Sequence, residues 1–321
     1  MRIETADLDI QGCNGHVIVQ DLQQPTVISV QNSPDVRFAR VNMTSSQASG
    51  APATGLTVMS SRLEVVASAL YGQRSPDCTA PALTGAAGGQ CGASRLHVSR
   101  SIIWGGVGSE CVQQNYFCGP GGDGLDLQGG ADVIVCGRST DGIDAGFGGV
   151  NLFYNDCSHD SFPGIGVSLV AGAQLRWSGV TLHGWDYGTG TNCFMLHSPE
   201  IWNLGGTVVQ PTLPDPTLTI SGNPLPGSSV QFAIDGPPGA TVVLSFGRGA
   251  IVQVDPNTLI ERLTQALRNV NLGAIPASGT ATFNWPIAGV LQPGMKLFTQ
   301  AAVTLSSGEV RRTNSVPVIL R

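Results

Sequence analysis

The sequence predicts an all-β protein, in which a parallel β-helix with three strands per coil is followed by a small antiparallel β-sandwich. Between residues 124 and 184 one pattern occurs three times: a glycine, a short apolar-polar alternation, a few turn residues and a second alternation. Such alternation is typical of strands with one buried face. The apolar openers Leu125, Ile143 and Val167 lie 18 and 24 residues apart, and repeats at this spacing predict a solenoid with one coil per repeat.

The same pattern continues towards the N-terminus and extends the predicted helix over the first 205 residues. Residues 27–30 are followed by a second alternation at 36–38, and residues 55–58 by one at 63–65. A third short strand follows in several coils, at residues 41–43, 69–71, 102–104 and 180–182. We therefore predict three strands in each coil.

Segments rich in small residues and turn formers interrupt the pattern, and each one follows a third strand. They cover residues 44–54, 72–93, 105–123 and 184–192. Because insertions at one point of a repeat emerge along one edge of a solenoid, we expect these loops to form a single ridge and the main interaction surface. The alternative is that they are tolerated insertions without a role.

A change of composition marks the end of the helix. The prolines of segment 211–216 favour extended chain, so we predict a parallel β-helix over residues 1–210, a Pro-rich linker over 211–216 and a β-sandwich over 217–321. Alternating segments separated by turn clusters predict the sandwich. Within it, residues 255–268 begin with a capping Asp and a Pro and carry regularly spaced leucines, which predicts a short amphipathic helix.

Composition narrows the functional classes. Charged residues make up 12% of the 321 residues, Gly (43) and Pro (20) are frequent, and Lys296 is the one lysine in the sequence, which favours a rigid, turn-rich β protein over disorder. The net charge of −6 without basic clusters argues against nucleic-acid binding. No apolar run reaches the roughly 18 residues of a membrane span, and no secretory signal precedes the first predicted strand. Because an uncapped helix end is an open edge, we expect further coils or a cap before residue 1.

Eight cysteines indicate an oxidising compartment. Cys78 and Cys91 bracket one insertion, and Cys111 and Cys118 bracket another, so we predict two local disulfides that stabilise the fold by about 2–4 kcal/mol each. The pairing of the other four cysteines stays open, and the alternative for them is a small core residue. Their spacings do not match a zinc site.

The three-strand coils of residues 3–205 resemble the right-handed parallel β-helix of the pectate-lyase-like group. The segments PTLTISGNPLPGSSV (216–230), LFTQAAV (297–303) and NSVPVIL (314–320) are similar to a C-terminal module of long, Gly-rich secreted or surface proteins of environmental bacteria. These resemblances imply an architecture and a location outside the cell, and they say little about chemistry.

One cluster of carboxylates is a candidate for chemistry. Asp123 and Asp126 recur 18 residues later as Asp141 and Asp144, and if that spacing is one coil, the four side chains form a compact square on strands about 4.8 Å apart. Like charges so close together either raise one pKa or bind a cation, and Ca²⁺ suits such a set of oxygens. The alternative is that Asp-Gly pairs close turns and that the carboxylates are solvated.

The resemblance implies two enzymatic versions of this cluster. Polysaccharide lyases of this fold use Ca²⁺ and a basic residue, for which Arg138 and Arg176 are the candidates. Hydrolases of the polygalacturonase type use paired Asp residues, and segment 139–144 is similar to one of their motifs, although their Gly-His-Gly and Arg-Ile-Lys motifs have no counterpart in register. The candidate catalytic residues are Asp126, Asp141, Asp144, His159 and Asp160.

Aromatic residues lie on or next to the predicted ridge, and their rings suit stacking on sugars. We expect Tyr116 and Trp185 to be accessible and to bind ligand, and Trp104 and Trp177 to pack inward.

Because no complete catalytic set is present, the sequence favours an extracellular or cell-surface structural or adhesive protein. Open helix ends add the hypothesis that it assembles end to end into filaments, so its expected partner is a second copy or a polysaccharide. The alternative is a carbohydrate-active enzyme, either a polysaccharide lyase or a glycoside hydrolase, that acts at the Asp cluster.

Overall fold

The computed structural model describes residues 7–13, 17–44, 46–76, 83–110, 118–148, 161–184, 186–187, 196–247, 253–254, 261–262, 266–288 and 294–320. Every regular element in these ranges is a β-strand. The described part of the chain contains no helix that is long and apolar enough to cross a bilayer. The predicted all-β class is confirmed.

Three parallel sheets, called A, B and C, make up the first two thirds of the chain, here called the parallel stack. Sheet A contains β1 (Leu8–Gln11), β3 (Ile28–Gln31), β5 (Leu56–Met59), β8 (Gly89–Gly92), β11 (Leu125–Leu127), β14 (Val167–Val170) and β19 (Ile201–Leu204). Sheet B contains β2 (Val17–Gln20), β4 (Val36–Ala39), β6 (Arg62–Val66), β9 (Arg95–Ser99), β12 (Asp132–Cys136), β15 (Gln174–Ser178) and β20 (Thr207–Val209). Sheet C contains β7 (Ala69–Tyr71), β10 (Ile102–Trp104), β13 (Gly142–Asp144) and β16 (Thr181–His183).

The chain visits the three sheets in a fixed order. In the middle of the stack β5, β6 and β7 are followed by β8, β9 and β10, and each strand pairs in parallel with its counterpart in the next repeat. Asn42 extends sheet C by one position through parallel bridges to Gln23 and Ala69. This succession is consistent with a β-helix-like architecture, and we call one passage through A, B and C a coil.

Alternate side chains of each strand fill the interior of the stack. In β5, Leu56 and Val58 are fully buried, whereas Thr57 between them is partly exposed. Because strands in register place equivalent positions over one another, these apolar rows continue from coil to coil as one core.

Short turns between sheets A and B share one hydrogen-bond pattern. The residue after the strand has a positive φ, as in Ser60 (φ 47°), and a serine follows it. Ser33 N donates to Ser61 Oγ at 3.0 Å, and Ser61 N donates to Ser94 Oγ at 3.0 Å. The turns between sheets B and C repeat this ladder with Val41, Ser68 and Ser101. Buried serines thus link each coil to the next.

The strand at Gly142 belongs to a different sheet from the one that the repeat pattern predicted. β13 pairs with β10 and β16 in sheet C, whereas Leu125 of β11 pairs with Val167 in sheet A. One coil here spans 42 residues, the separation of the neighbours Asp126 and Ser168, and the predicted 18-residue coil is wrong. The sheet C strand has the sequence Gly-Ile-Asp, and the sheet A segment has the sequence Gly-Leu-Asp. The two have the same apolar-polar pattern, so the pattern alone does not assign them to different sheets.

The insertions leave the stack at one place, between sheet C and sheet A. Segments 72–88, 105–124 and 145–166 all make this connection. Two details differ from the sequence prediction. β8 lies inside the predicted interruption 72–93, and the segment 145–166, which the prediction places inside the repeated pattern, makes one of these connections.

The stems of these insertions pack against each other through backbone atoms. Gly106 N donates to Ala86 O at 2.7 Å, Gly122 N to Gly106 O at 2.8 Å, and Gly146 N to Gly122 O at 2.7 Å. A Cβ atom on Gly106 would lie 1.9 Å from Gln73 O, which is far inside van der Waals contact. The glycines therefore permit a hydrogen-bonded layer of extended chain beside the three sheets.

Residues 217–320 include two antiparallel sheets around a shared core, here called the C-terminal unit. One sheet contains β21 (Thr217–Ser221), β22 (Ser229–Asp235) and β27 (Thr280–Pro286). The other contains β23 (Thr241–Gly247), β26 (Ala266–Ala274), β28 (Lys296–Thr304), β29 (Val310–Arg312) and β30 (Val316–Ile319). Two-residue strands form separate antiparallel pairs: β17 (Asp186–Tyr187) with β18 (Leu196–His197), and β24 (Gln253–Val254) with β25 (Glu261–Arg262).

The helix predicted over residues 255–268 is wrong at the positions that the structure describes. β25 covers Glu261–Arg262 and β26 begins at Ala266, while 255–260 and 263–265 lie outside the described residues. Pairing of β26 with β23 supplies the backbone hydrogen bonds at the end of this segment, so tertiary context overrides the helical spacing of the leucines.

The C-terminal unit covers the outer face of sheet B. Val66 packs with the core of the C-terminal unit, although it belongs to β6. Arg37 is 1% exposed: its guanidinium lies 3.2 Å from the Glu64 carboxylate and 4.7 Å from the centre of the Phe298 ring. Ser315 donates to Glu64 from its backbone N at 2.5 Å and from its hydroxyl at 2.8 Å. The contact between the two parts of the chain is thus a buried ion pair with hydrogen bonds on both sides.

Two further ion clusters extend this contact along the stack. Asp235 of β22 pairs with Arg100 and, at 2.7 Å, with Arg138. Asp215, which lies in the segment predicted as a linker, pairs with Arg176 at 2.8 Å and with Arg311 at 3.6 Å. Asp215 is 3% exposed, so this segment is tied to the outer face of sheet B.

Candidate functional site

The outer face of sheet C carries a row of side chains that combines aromatic rings with an acid-imidazole pair. Tyr71, Trp104, Asp144 and His183 occupy equivalent positions on β7, β10, β13 and β16. The residue before each of them is buried in the core, so these four side chains, here called the sheet C row, start from the outer face. Neighbouring strands lie about 4.8 Å apart, which gives the row a regular step.

The first half of the row is an aromatic platform. The Tyr71 and Trp104 rings are stacked, with centroids 6.4 Å apart and an angle of 27° between their planes. Phe147, at the start of an insertion stem, adds a tilted ring 6.4 Å from Trp104. All three side chains are half-buried. The sheet therefore holds three rings in a fixed arrangement with part of their surface open.

The second half of the row is a polar pair. His183 Nδ1 lies 2.8 Å from Asp144 Oδ1, and the side chains are 50% and 17% exposed. A carboxylate at this distance makes Nδ1 the donor of the imidazole. The pair therefore presents a carboxylate and an oriented imidazole next to the aromatic platform.

Asp126 and Asp144 do not lie over one another. Asp126 is on sheet A, where its carboxylate accepts hydrogen bonds from Gln90 Nε2 at 3.2 Å and from Ser168 Oγ at 3.0 Å. Asp144 is on sheet C, between Trp104 and His183. The predicted stacking is wrong because residues 18 positions apart lie in the same coil on different sheets.

The other two carboxylates of the predicted square have local partners. Asp123 Oδ1 accepts a hydrogen bond from Ile165 N at 2.9 Å; burial raises the pKa of Asp123, and the Asp126 charge adds to the rise. Asp141 accepts a hydrogen bond from Arg138 N at 2.8 Å, and Arg100 Nε lies 2.9 Å from its carboxylate. No group of three or more His, Cys, Asp or Glu side chains in the described ranges could hold a metal ion, so the predicted Ca²⁺ square has no geometric basis.

The two arginines proposed as lyase bases pair with Asp235 of the C-terminal unit and with Asp215 of the segment before it. Asp235 raises the pKa of Arg138, and Asp215 raises the pKa of Arg176, in both cases mainly through hydrogen bonds to the guanidinium. Both groups lie on or beside sheet B and are paired with carboxylates, so their assignment as proton acceptors for a site on sheet A or C is wrong.

Four predicted site residues lie outside the described residues: Tyr116, His159, Asp160 and Trp185. Of the two tryptophans expected inside, Trp177 packs against the core, as predicted. Trp104 lies on the outer face, and its inward prediction is wrong because the fully buried Ile103 occupies the inward position of β10.

The structure bears differently on the two predicted disulfides. Cys91 is a free thiol on the inner face of β8, and burial raises its pKa to about 12, so the predicted disulfide with Cys78 is not supported; Cys78 lies outside the described residues. Cys118 is buried, but Cys111 also lies outside them, and this pair stays a prediction. Cys136 is a buried thiol in the contact with the C-terminal unit.

Sequence reasoning missed two groups of residues. The sheet C row becomes visible when the last residues of the four third strands are aligned, once Gly142 is recognised as one of them. The second group is buried under the C-terminal unit: His97 lies 3.3 Å from Cys136 Sγ and 3.8 Å from Glu64. Burial lowers the pKa of His97 and raises that of Cys136, so both groups are held neutral.

No protein-family model and no curated protein matches the chain. Among solved structures, the chain is similar to a DUF3823 family protein from Bacteroides ovatus ATCC 8483, whose crystal structure was determined at 2.77 Å resolution, with a TM-score of 0.25 and 18% identity. The match covers 36% of this chain and 61% of the other.

Proposed function

We propose that this protein is an extracellular or cell-surface adhesive protein that binds polysaccharide on the sheet C row. The observation that carries the proposal is the arrangement of Tyr71 and Trp104 beside the Asp144–His183 pair on adjacent strands. Aromatic rings combine apolar faces with a fixed geometry and stack on the apolar faces of sugar rings. The carboxylate and the imidazole can accept and donate hydrogen bonds to hydroxyl groups.

The regular step of the row favours a polymer as ligand. Contacts that repeat about every 4.8 Å along a sheet match a chain of sugar units better than a single sugar. A solenoid also suits an adhesive role, because its core is continuous and its surface is extended. In this proposal the stack is a right-handed parallel β-helix of the pectate-lyase-like type, and the C-terminal unit is a β-sandwich.

Affinity electrophoresis against neutral and acidic polysaccharides tests the proposal. Trp104→Ala should weaken binding roughly tenfold, because it removes the central ring of the platform. Trp202→Ala is the matched control, since Trp202 is 48% exposed on β19 of sheet A. Failure of the wild-type protein to bind any polysaccharide, or equal losses in the two variants, would contradict the proposal.

A carbohydrate-active enzyme is the second candidate, and the Asp144–His183 distance of 2.8 Å favours it. A carboxylate that orients an imidazole is the usual support of a general base. Incubation with the bound polysaccharide should release reducing ends or unsaturated products if this candidate is correct. Asp144→Asn should then abolish release while binding persists, whereas the adhesive proposal expects no release from either protein.

End-to-end assembly is an additional part of the proposal. The last strands of sheets A and B are exposed, with Leu204 61%, Val209 43% and Val208 36% accessible. Edge strands with apolar side chains pair readily with further strands, and a second copy would supply them. Val208→Lys should reduce the sedimentation coefficient at high concentration, while Val310→Lys, on the similarly exposed β29 residue, should not. A wild-type protein that sediments as a monomer at high concentration would rule out assembly.

A further inference from the structure

The C-terminal unit contains an apolar cavity that has no part in the proposed polysaccharide site. It has a volume of about 170 Å³ and opens between β26, β27 and β23. Phe246, Phe283 and Trp285 form its aromatic wall; the Phe246 ring lies 5.3 Å from Trp285 and 6.4 Å from Phe283. Leu267, Val270 and Leu297 add aliphatic side chains to the lining. The wall of the cavity is thus mainly aromatic and aliphatic.

One charged side chain lines this cavity, and it starts from the inner face of the sheet. Arg268 is paired with Phe246 across β26 and β23, just as Val270 is paired with the fully buried Leu244. Residues paired across antiparallel strands point to the same side, so Arg268 belongs to the side that faces the core. It is exposed at the mouth of the cavity. Among the described side chains no carboxylate forms an ion pair with it.

We propose that this cavity binds a small carboxylate with an apolar body, such as one aromatic ring, whose acid group pairs with Arg268. The volume sets the size of the apolar part, because an apolar cavity of about 150 Å³ holds one benzene ring. The charge sets the head group, because a guanidinium matches the planar, two-oxygen geometry of a carboxylate. The aromatic wall favours an aromatic body over a flexible chain.

The placement of the charge favours a ligand. Arg268 is exposed at the mouth of the cavity, so an anion whose apolar part fills the cavity would gain a charge-assisted contact with the guanidinium there. The same placement would arise if Arg268 only prevented pairing of the edge strand β26 with other chains, since inward-pointing charges protect sheet edges. Edge protection needs no ligand, so binding distinguishes the two explanations.

Isothermal titration calorimetry with phenylacetate on the full chain tests the proposal, with 2-phenylethanol as the uncharged analogue and acetate as the head group alone. Phenylacetate should bind at one site, 2-phenylethanol should bind at least several-fold more weakly, and acetate should not bind. Arg268→Gln should weaken phenylacetate binding roughly tenfold, as expected for one charge-assisted contact, and should leave 2-phenylethanol unchanged. Lys296→Gln is the matched control, because Lys296 is exposed on β28 and does not line the cavity.

A second variant tests whether the ligand occupies the cavity itself and does not only bind to the charge of Arg268. Val270→Phe fills the cavity from its wall and should abolish binding of both aromatic compounds, while thermal unfolding shows that the variant is folded. Absence of saturable binding to the wild-type protein, or phenylacetate binding that neither variant changes, would overturn the proposal and leave edge protection as the role of Arg268. Because the polysaccharide test uses Trp104 in the parallel stack, the two proposals fail independently.

Discussion

Gly106 illustrates, at the scale of one residue, how a missing side chain permits the contact between insertion stems. A Cβ atom on Gly106 would lie 1.9 Å from Gln73 O, and its N–H donates to Ala86 O at 2.7 Å. We expect Gly106→Ala to lower the free energy of unfolding by about 3 kcal/mol, because the added methyl group has to displace backbone and not a flexible side chain. Urea denaturation followed by tryptophan fluorescence measures the change.

Gly50 provides the control for that substitution. It is exposed, and a Cβ atom there would meet no atom within 4 Å. Gly50→Ala should therefore change the free energy of unfolding by less than about 0.5 kcal/mol. Equal effects at the two positions would show that the stems rearrange freely.

His97 links the stability of the protein to pH. Burial lowers its pKa in the folded state below the unfolded value, although Glu64 opposes the shift. Below a pH of about 6.5, His97 binds a proton in the unfolded chain but stays neutral in the folded chain. The free energy of unfolding therefore decreases as the pH falls below this value. We expect His97→Gln to flatten the dependence of the unfolding free energy on pH between about 7 and 5.

Urea denaturation of the wild-type protein and of His97→Gln at several pH values between about 5 and 7 measures the two slopes. Identical slopes in the wild-type protein and in His97→Gln would show that His97 is not the group responsible.

At the scale of elements, the serine ladder makes neighbouring coils depend on each other. Ser61 Oγ accepts a hydrogen bond from Ser33 N and donates to Met59 O at 2.7 Å. Ser61→Ala leaves a buried N–H of the previous coil without its acceptor, which should cost about 1–3 kcal/mol. Ser29→Ala, on the outer face of β3, should be nearly neutral. Thermal unfolding of both variants checks this, and a neutral Ser61→Ala would mean that water replaces the hydroxyl.

Strand positions were the part of the fold that the sequence predicted best. Apolar alternation located strands such as β5 and β6 to within one or two residues, because alternate side chains of each strand enter the core. The alternation does not say which sheet a strand joins, and this is why Gly142–Asp144 was assigned to the wrong sheet and the carboxylate square was predicted. The aromatic half of the sheet C row was missed for a related reason, since a period of two does not distinguish an inward from an outward tryptophan.

At the scale of the whole molecule, the contact between the C-terminal unit and sheet B depends on buried charges. Arg37→Ala would leave the Glu64 carboxylate buried without its cation, and loss of one partner of such a pair costs about 3–5 kcal/mol. We expect the variant to unfold at lower urea concentration and to be cleaved more rapidly by protease in segment 211–216. Replacing both partners, as in Arg37→Met with Glu64→Leu, should recover much of the loss.

Arg74 is the matched control for Arg37. It lies 3.1 Å from Glu110, and both side chains are about one third exposed (34% and 32%), so Arg74→Ala should cost less than about 1 kcal/mol. If Arg37→Ala were as mild as Arg74→Ala, the C-terminal unit would be held by its apolar contacts alone.

This contact could not be predicted from the sequence. Arg37, Glu64 and His97 stand at outward positions of successive B strands, and charged residues at such positions normally indicate solvent. Their burial depends on a partner surface more than 100 residues further along the chain, for example the Glu64–Ser315 hydrogen bond with a separation of 251 residues. The apolar-polar pattern of a single strand contains no information on which distant surface will cover its outer face.

The single exit point of the insertions also has a practical meaning for protein engineering. Equivalent serines are 28 residues apart in one coil and 33 in the next, and the Asp126–Ser168 neighbours are 42 apart, yet the strands keep their register. Chain length between sheets C and A is thus decoupled from strand pairing. A foreign epitope grafted at the exposed Gly50, between Asn42 and β5, should therefore leave the strand register of the stack unchanged.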